Sequence, residues 1–505
     1  MKRQEADQRL ARLSLADADA FFAAGIEILK GDQPEALFPI ARQAAAQHAT
    51  DYRIHQLLGL VARVLGESGQ AEVAFSRAAT LAPTNPLIAH SHARATLEAG
   101  RDATHLFEHA IDLSPRDGAV LQGYAAALHA IGRPAEAMDA LAAILEKNPL
   151  WTDGHRTLAH LRGQQGLDPA VAIERAITVA PEQAALRRLL VSIRLEARDL
   201  EGAAAAVQAA MRQFGEAGPF SMLAAHVASE AGNIAQADAC FAKCSPDGVG
   251  EVAQWVRHLI RAGRPETAEQ VMQSWEARDP ENFLWPYRAL AWRLLADPRG
   301  AWLEGDPKLV GVYDLADAIG DIPALVEHIG SLHVASAAPL DQSVRGGTQT
   351  DGNLLIRDEA PIRALRALIL QTVNQHIAQL PPPEDGHPTL LSRRDPVRLA
   401  GSWSVRLRDA GFHTDHVHSQ GWVSSALYLA LPDPAPSGER SDRHAGWLTL
   451  GECRDLVPGM TPLRLVEPRP GRLVLFPSTM WHGTRAFPAG ERLTVAFDIA
   501  RPQQG

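Results

Sequence analysis

From about residue 50, apolar positions recur at three- and four-residue spacing in Ala-rich stretches that break at near-fixed intervals. That pattern predicts a succession of amphipathic helices. Marker residues repeat in register. Leu58-Gly59, Ala71, Phe75, Ala78 and Pro83 mark one unit, and Ala103, Phe107, Ala110 and Pro115 the next. Ala137, Leu141, Ile144 and Pro149 mark a third, Ile173, Ala176 and Pro181 a fourth, and Ala268, Met272 and Pro280 a later one. The prolines at 83, 115, 149 and 181 set a period of 32 to 34 residues. Small Ala lets two helices approach, a large apolar residue four positions on fills the space between them, and Pro stops the second helix. One such pair cannot bury its apolar face alone, so neighbours must stack into a solenoid. An all-α array is expected over 1–295, with weaker units at 13–47 and 183–246.

After Trp292 the texture changes. ADPRGAWLEGDPKLV (296–310) interrupts the helical period with Pro and Gly and reads as the domain junction. Helices are expected over 320–333 and 360–379, the second stopped by Pro381, Pro382 and Pro383. Beyond them, SWSVRL (402–407), WVSSALYLAL (422–431), GWLTLG (446–451), RLVLFPS (472–478) and RLTVAFDIA (492–500) read as short strands between turn residues. Short strands at this spacing predict a sandwich or jelly roll over 296–505, with flanking helices.

Composition narrows the function classes. Apolar residues are 46% and charged residues 21%, which excludes a disordered chain, and 39 Gly and 34 Pro without period exclude collagen-like sequence. The net charge of −10 speaks against a nucleic-acid partner, which needs a basic footprint. No run approaches a membrane span, and MKRQEADQRL lacks the apolar core of a secretory signal. Cys240, Cys244 and Cys453 form no disulfide framework and are expected as small apolar residues of a protein in a reducing compartment. A cytoplasmic location is the expectation.

The chemistry gathers in GFHTDHVHSQGW (411–422), where His413, Asp415, His416 and His418 fall within six residues just before a strand. Far downstream, RLVLF leads into PSTMWH and His482, and Arg492 opens the last strand ten residues later. Ligands at i and i+2 on an extended chain share a face. A third from a distant strand completes one face of an octahedron and leaves positions open for a cosubstrate and O₂. Arg492 can take a carboxylate of a 2-oxo acid, and Thr494, two residues on, can add a hydroxyl. Two pairings fit the upstream cluster: His413 with Asp415, or His416 with His418. On a regular strand their parity makes them mutually exclusive. If Asp415 is not a ligand, it is expected to accept from the N–H of a ligand histidine. Arg485 competes with Arg492, and Arg345, Gln349, Trp403 and Arg406 are candidate pocket-lining residues. Trp422 and Trp481 are expected as core or pocket walls, and His387 and His444 as loop residues.

The repeat half resembles the tetratricopeptide repeat. The stretches QSVRGGTQT (342–350), GSWSVRL (401–407), GFHTDHVHSQGWVSSALYLALP (411–432), RPGRLVLFPSTMWHGT (469–484) and ERLTVAFDIARP resemble the Fe(II)/2-oxoglutarate-dependent dioxygenase superfamily. More closely, they resemble its bacterial group in which tetratricopeptide repeats precede a 2OG-Fe(II) oxygenase domain. The resemblance implies a double-stranded β-helix over 296–505, with Fe(II) as cofactor and 2-oxoglutarate as cosubstrate. It places His416, His418 and His482 as metal ligands and catalytic residues, a departure from the two-His-one-carboxylate pattern. Arg492 and Thr494 would bind the cosubstrate. The repeats imply a peptide or protein partner in their groove, and a peptide or protein substrate for hydroxylation. The rival readings are a repeat scaffold with an inert jelly roll, and a metal-dependent oxygenase that does not use 2-oxoglutarate.

Overall fold

In a computed structural model, residues 1, 3–215, 219–279, 283–340, 342–419, 421–432, 444–487 and 489–503 are described, which leaves Pro280 of the later repeat outside the described residues. Helices alternate without interruption from Ala18–Lys30 and Pro34–Gln47 to Pro265–Ser274 and Trp285–Leu294. The repeat period is written into the backbone at two further places. Asp17, Asp51, Asn85 and Asp117 each accept from backbone N–H groups at the start of the first helix of a unit. Such a cap is worth about 1 kcal/mol. A left-handed residue closes the turn inside each unit, at Asp32, Gly66, Gly100, Gly132, Gly166, Arg198, Gly232, Gly263 and Ala296. Gly is the residue that adopts this conformation without a Cβ clash, and six of these nine positions have it.

The chain divides into two compact units. The first is built mainly from Met1–Ala140 and Asp351–Leu370. Its core is a run of small and large apolar side chains: Phe21, Ile28, Leu37, Ile54 and Leu57, then Ala71 and Phe75, then Ala93, Phe107, Ala110 and Val120. The segment 351–370 finishes the helix ends of these repeats. Arg366 donates to the carbonyls of Leu65 and Gly66 at 2.7 and 2.8 Å, where helix Tyr52–Val64 ends. Asp358 N–H donates to Ala99 O at 3.1 Å, and Arg357 to Gly100 O at 3.3 Å, where Pro86–Glu98 ends. Carbonyls that a helix leaves unpaired at its C-terminus are thereby satisfied.

The second unit spans Leu141–Thr350 and Gln371–Pro502. It holds the later repeats and two antiparallel sheets. Strands β1 (Gly311–Asp314), β2 (Val344–Gln349), β3 (Leu399–His413), β4 (Gly421–Ala430), β7 (Arg472–Pro477) and β9 (Glu491–Ala500) form one sheet in the order β1-β7-β4-β9-β3-β2. Strands β5 (Leu448–Leu450), β6 (Arg464–Val466) and β8 (His482–Thr484) form the other, in the order β6-β5-β8. The expected helix 360–379 is present as Ala360–Gln379, and the one expected at 320–333 as Ile322–Ser331 behind a short turn of helix, Ala316–Ile319. The three cysteines are free thiols: Cys453 is buried, while Cys240 and Cys244 are partly buried beside apolar neighbours. No helix among the described residues is long and apolar enough to cross a membrane.

The last repeats and the β domain share one core. Val252, Val256, Leu259, Ala268, Met272 and Leu290 of the repeat helices pack with Cys453, Leu456 and Trp481. Trp481 is 3% exposed, donates its indole N–H to Pro286 O at 2.8 Å, and meets the Tyr287 ring edge-on at 5.8 Å.

Two outcomes test this packing. Phe107 abuts Gly123 so closely that a Cβ there would lie 2.2 Å from the ring, so the site cannot collapse to fill a void. Phe107→Ala is expected to cost about 3–5 kcal/mol, read as a fall in the denaturant midpoint of the repeat transition; a loss below about 1 kcal/mol would contradict the packing. Glu230 accepts from Arg257 and Arg261 at 2.8 and 2.9 Å. Burial opposes its charge, but the two guanidiniums prevail and hold its pKa down at about 2 against an ordinary 4.5. Its stabilisation is therefore full above pH 4.5 and is lost as pH falls towards 2, about 3 kcal/mol in all. The stability gap between wild type and Glu230→Gln should narrow on acidification over that window; a gap independent of pH would contradict the pairing.

Candidate functional site

The site begins where β3 ends. After His413 the chain leaves the strand, and Thr414 N–H donates to Ser343 O at 3.0 Å. His416 and His482 then exchange both backbone hydrogen bonds, at 2.9 and 3.0 Å, and His418 N–H donates to Ser478 O at 3.0 Å. The loop before β4 is thus laced across the turn between β7 and β8. Gly483 permits the approach, since a Cβ there would sit 2.1 Å from Asp415 Oδ1.

Three imidazoles converge. Ring centroids lie 4.1 Å apart for His416 and His482, and 5.1 Å apart for His418 with each of the other two. One ring nitrogen from each falls within 4.8 Å of the other two. Every Nδ1 already has an acceptor: Thr414 O at 2.8 Å for His416, Met480 O at 3.0 Å for His482, and both carboxylate oxygens of Asp498 at 2.8 Å for His418. An acceptor at Nδ1 fixes the Nδ1–H tautomer and leaves the Nε2 lone pair for another ligand. Ser424 donates to Asp498 at 2.6 Å and shares a 2.9 Å bond with Ser478, which holds that carboxylate behind His418. Burial, reinforced by repulsion from neighbouring histidines, pushes His482 well below the usual imidazole range and His416 down to about 3. Neutral imidazoles with free lone pairs are what a divalent transition metal binds.

Two cavities meet at this cluster, and Gln342, Ser343, His416 and His418 line both. The inner one is walled from both sheets and runs past Gln349, Trp403 and His482 to Arg492 and Thr494. Arg492 is 2% exposed. It donates to Gly446 O at 2.6 Å and lies 4.6 Å from the centre of the Tyr428 ring. Its Nε has no hydrogen-bond partner, and it pairs with no carboxylate among the described residues. A buried guanidinium left without an anion is costly, so its place at the end of a cavity suits an anionic ligand. The outer cavity, about 600 Å³, opens between the repeat helices Ala184–Glu196, Pro219–Glu230 and Val249–Arg261 and the histidine loop.

The other expected residues separate clearly. Asp415 faces away from the cluster. Its side chain is 1% exposed, and its carboxylate accepts from Arg454 N–H, Nε and Nη2 at 2.7, 2.8 and 2.6 Å. The acceptor expected of Asp415 is instead Asp498. His413 lines the inner cavity, with its ring 6.0 Å from His416 and its Nδ1 3.0 Å from the Ser343 hydroxyl. The expected parity conflict does not arise, because the chain bends between His413 and His416 rather than continuing as a regular strand. Arg406 lines neither cavity and pairs with Glu491 at 2.7 Å, while Arg345 lines the outer one. Arg485 lines neither. Trp422 is buried, donating to Thr389 O at 2.9 Å, and Trp481 lines the outer cavity. His387 and His444 lie in loops, His387 buried against Trp302. Asp498 was not anticipated, although Arg492, Thr494 and Asp498 are spaced by even numbers along one strand and so share its face.

Residues 401–498 match the family described as "Putative 2OG-Fe(II) oxygenase", and residues 96–161 match the tetratricopeptide repeat. No curated protein matches the sequence. Among solved structures, the chain is similar over 39% of its length to 94% of a prolyl-4-hydroxylase from Pseudomonas putida, at 18% identity and a TM-score of 0.25. It is similar over 32% of its length to 66% of a 2OG-Fe(II) oxygenase family oxidoreductase from Burkholderia pseudomallei, at 13% identity and a TM-score of 0.22. A third similarity covers 34% of this chain and 90% of YrrB, a TPR protein with an unusual peptide-binding site, at 16% identity and a TM-score of 0.28. The chain thus carries a tetratricopeptide-repeat region ahead of a C-terminal domain that matches the "Putative 2OG-Fe(II) oxygenase" family.

Proposed function

We propose that the protein is an Fe(II)- and 2-oxoglutarate-dependent dioxygenase that hydroxylates a peptide or protein recruited by its repeats. The observation that carries this is one arrangement: three histidines whose ring nitrogens converge at the wall between two cavities, each with its Nδ1 already held by an acceptor, and the inner cavity ending at an unpaired, buried Arg492. His416, His418 and His482 would hold the metal. Arg492 would take the far carboxylate of 2-oxoglutarate, with Thr494 on the same strand face beside it. Bound iron and 2-oxo acid supply oxidative decarboxylation coupled to hydroxylation with O₂.

The chain's part is positioning and exclusion. Asp498 locks the ring of His418 and adds electron density to it. The carboxylate that many such sites offer directly thus stands one bond further out. Buried walls keep water from the inner cavity and strengthen the pull of Arg492 on an anion. The outer cavity admits the side chain to be oxidised, and its repeat-helix wall supports a peptide as the bearer.

Anaerobic titration with Fe(II) and 2-oxoglutarate should give a visible charge-transfer band, and admission of O₂ should give succinate. No band and no succinate, with candidate peptides present, would count against the proposal. Iron binding without dependence on 2-oxoglutarate would favour a different metal oxygenase. His416→Ala, His418→Ala and His482→Ala should each abolish iron binding, while His413→Ala and Asp415→Asn retain it; the opposite pattern would move the ligand set to the other pairing. Asp498→Asn should weaken iron binding about 10–100-fold. Arg492→Gln should weaken 2-oxoglutarate binding by about 2–5 kcal/mol and leave iron affinity unchanged. Equal loss of both in that variant would show only a damaged fold.

A further inference from the structure

The outer cavity contains an electrostatic imbalance. Most of its charged residues are neutralised: Glu196 pairs with Arg156 at 2.8 Å, Glu230 with Arg257 and Arg261 at 2.8 and 2.9 Å, and Asp415 with Arg454 at 2.6 Å. Two guanidiniums are not, nor is one carboxylate, Asp455, which leaves an excess of positive charge. Arg198 and Arg345 both line the cavity, and among the described residues neither has a carboxylate within ion-pair distance. Among the described residues, Arg345 donates through Nη1 to the carbonyls of Gln342 and Val344 at 2.6 and 2.7 Å. The charged groups that act on it are Arg198, a like charge, and Asp455, an opposite one that does not reach it.

Arg198 occupies a place where the fold asks for something else. It is one of the left-handed turn residues of the repeat series, with φ of 63°, where most units have Gly. An Arg there gives up backbone comfort and projects a cation at the cavity. Arg345 lies two residues along β2's approach from Ser343, whose hydroxyl is 3.3 Å from His416 Nε2. Two extended residues span about 7 Å, roughly two residues of a bound extended chain. The groove also continues beyond the cavity. A second hollow of about 390 Å³ shares Ser192, Leu223 and Gln254 with it and extends along Thr152, Arg156 and Arg188. A small acid would not need that length; an extended peptide would.

We infer that Arg198 and Arg345 form a carboxylate subsite, and that the substrate is a peptide carrying an acidic side chain within about two residues of the one presented to the histidine cluster. This rests on the proposed oxygenase reading for the meaning of the cluster, but not for the binding itself.

The test is fluorescence anisotropy of the full-length protein with two labelled peptide pools, random except that one contains Asp and Glu and the other Lys and Arg. The acidic pool should bind roughly tenfold more tightly or better, with a preference that fades in high salt. Arg198→Gly restores the residue the turn prefers, so thermal stability should hold or rise while the preference falls. Arg198→Glu with Arg345→Glu should reverse it. Equal binding of both pools, or a preference unchanged in Arg198→Gly and in the double variant, overturns the inference. Competition by millimolar glutarate that abolishes peptide binding through the outer cavity alone, with no contribution from peptide length, overturns the peptide as occupant. Iron and 2-oxoglutarate binding are measured in parallel. If they succeed while the pools show no preference, the subsite fails alone; if they fail while the preference stands, only the oxygenase reading falls.

Discussion

The site rests on the burial of Trp481 in the core of the last repeats. Its indole is enclosed by repeat side chains and hydrogen-bonded to Pro286, and the next residue in the chain is His482. A buried Trp removes a large apolar area from water, and its N–H needs a partner once inside. Both conditions are met by the repeat helices. From His482 the order spreads through backbone bonds to His416, and from Ser478 to His418. The repeats are therefore a structural wall of the site, beyond any role in recruiting a partner.

Charge is distributed around the cluster in layers. His416 and His482 are held neutral by burial and repulsion from neighbouring histidines, and the nearest carboxylate, Asp498, reaches the cluster through His418 Nδ1. Asp415, adjacent in sequence, is consumed by Arg454 and serves to pin the loop. Arg492 stands apart at the end of the inner cavity with no anion of its own. Burial makes each of these assignments consequential, because unpaired charge is expensive there and paired charge is strong.

Much of this was legible in the residues, for physical reasons that also mark its limits. The Ala, Phe and Pro spacing exposed the solenoid because helix packing demands small and large residues at set intervals. The left-handed turns were a second periodic signal, obscured where Asp32, Arg198 and Ala296 replace Gly. Long apolar strands such as β4 and β9 were visible. β1, β2, β6 and β8 were not, because they are three to six residues long and owe their form to pairing partners rather than to their own pattern. β3 extends to His413, past its apolar run, because β2 pairs with Phe412 and His413 beyond a bulge. The two pairings of the histidine cluster looked exclusive only on the assumption of an unbroken strand. Asp498 was hidden by its apolar neighbours, although strand parity placed it in line with Arg492.

The docking of 351–370 onto the first repeats bears on how the chain acquires its structure. The carbonyls of Leu65 and Gly66 wait for Arg366, a partner three hundred residues later in the chain. During synthesis the early helices would emerge with their ends open to water long before that segment exists. Their final bonds have a large loop-closure cost, though one that grows only slowly with length. The N-terminal helices can form locally, but their completed arrangement is a late event in the life of the nascent chain, tied to the emergence of 351–370.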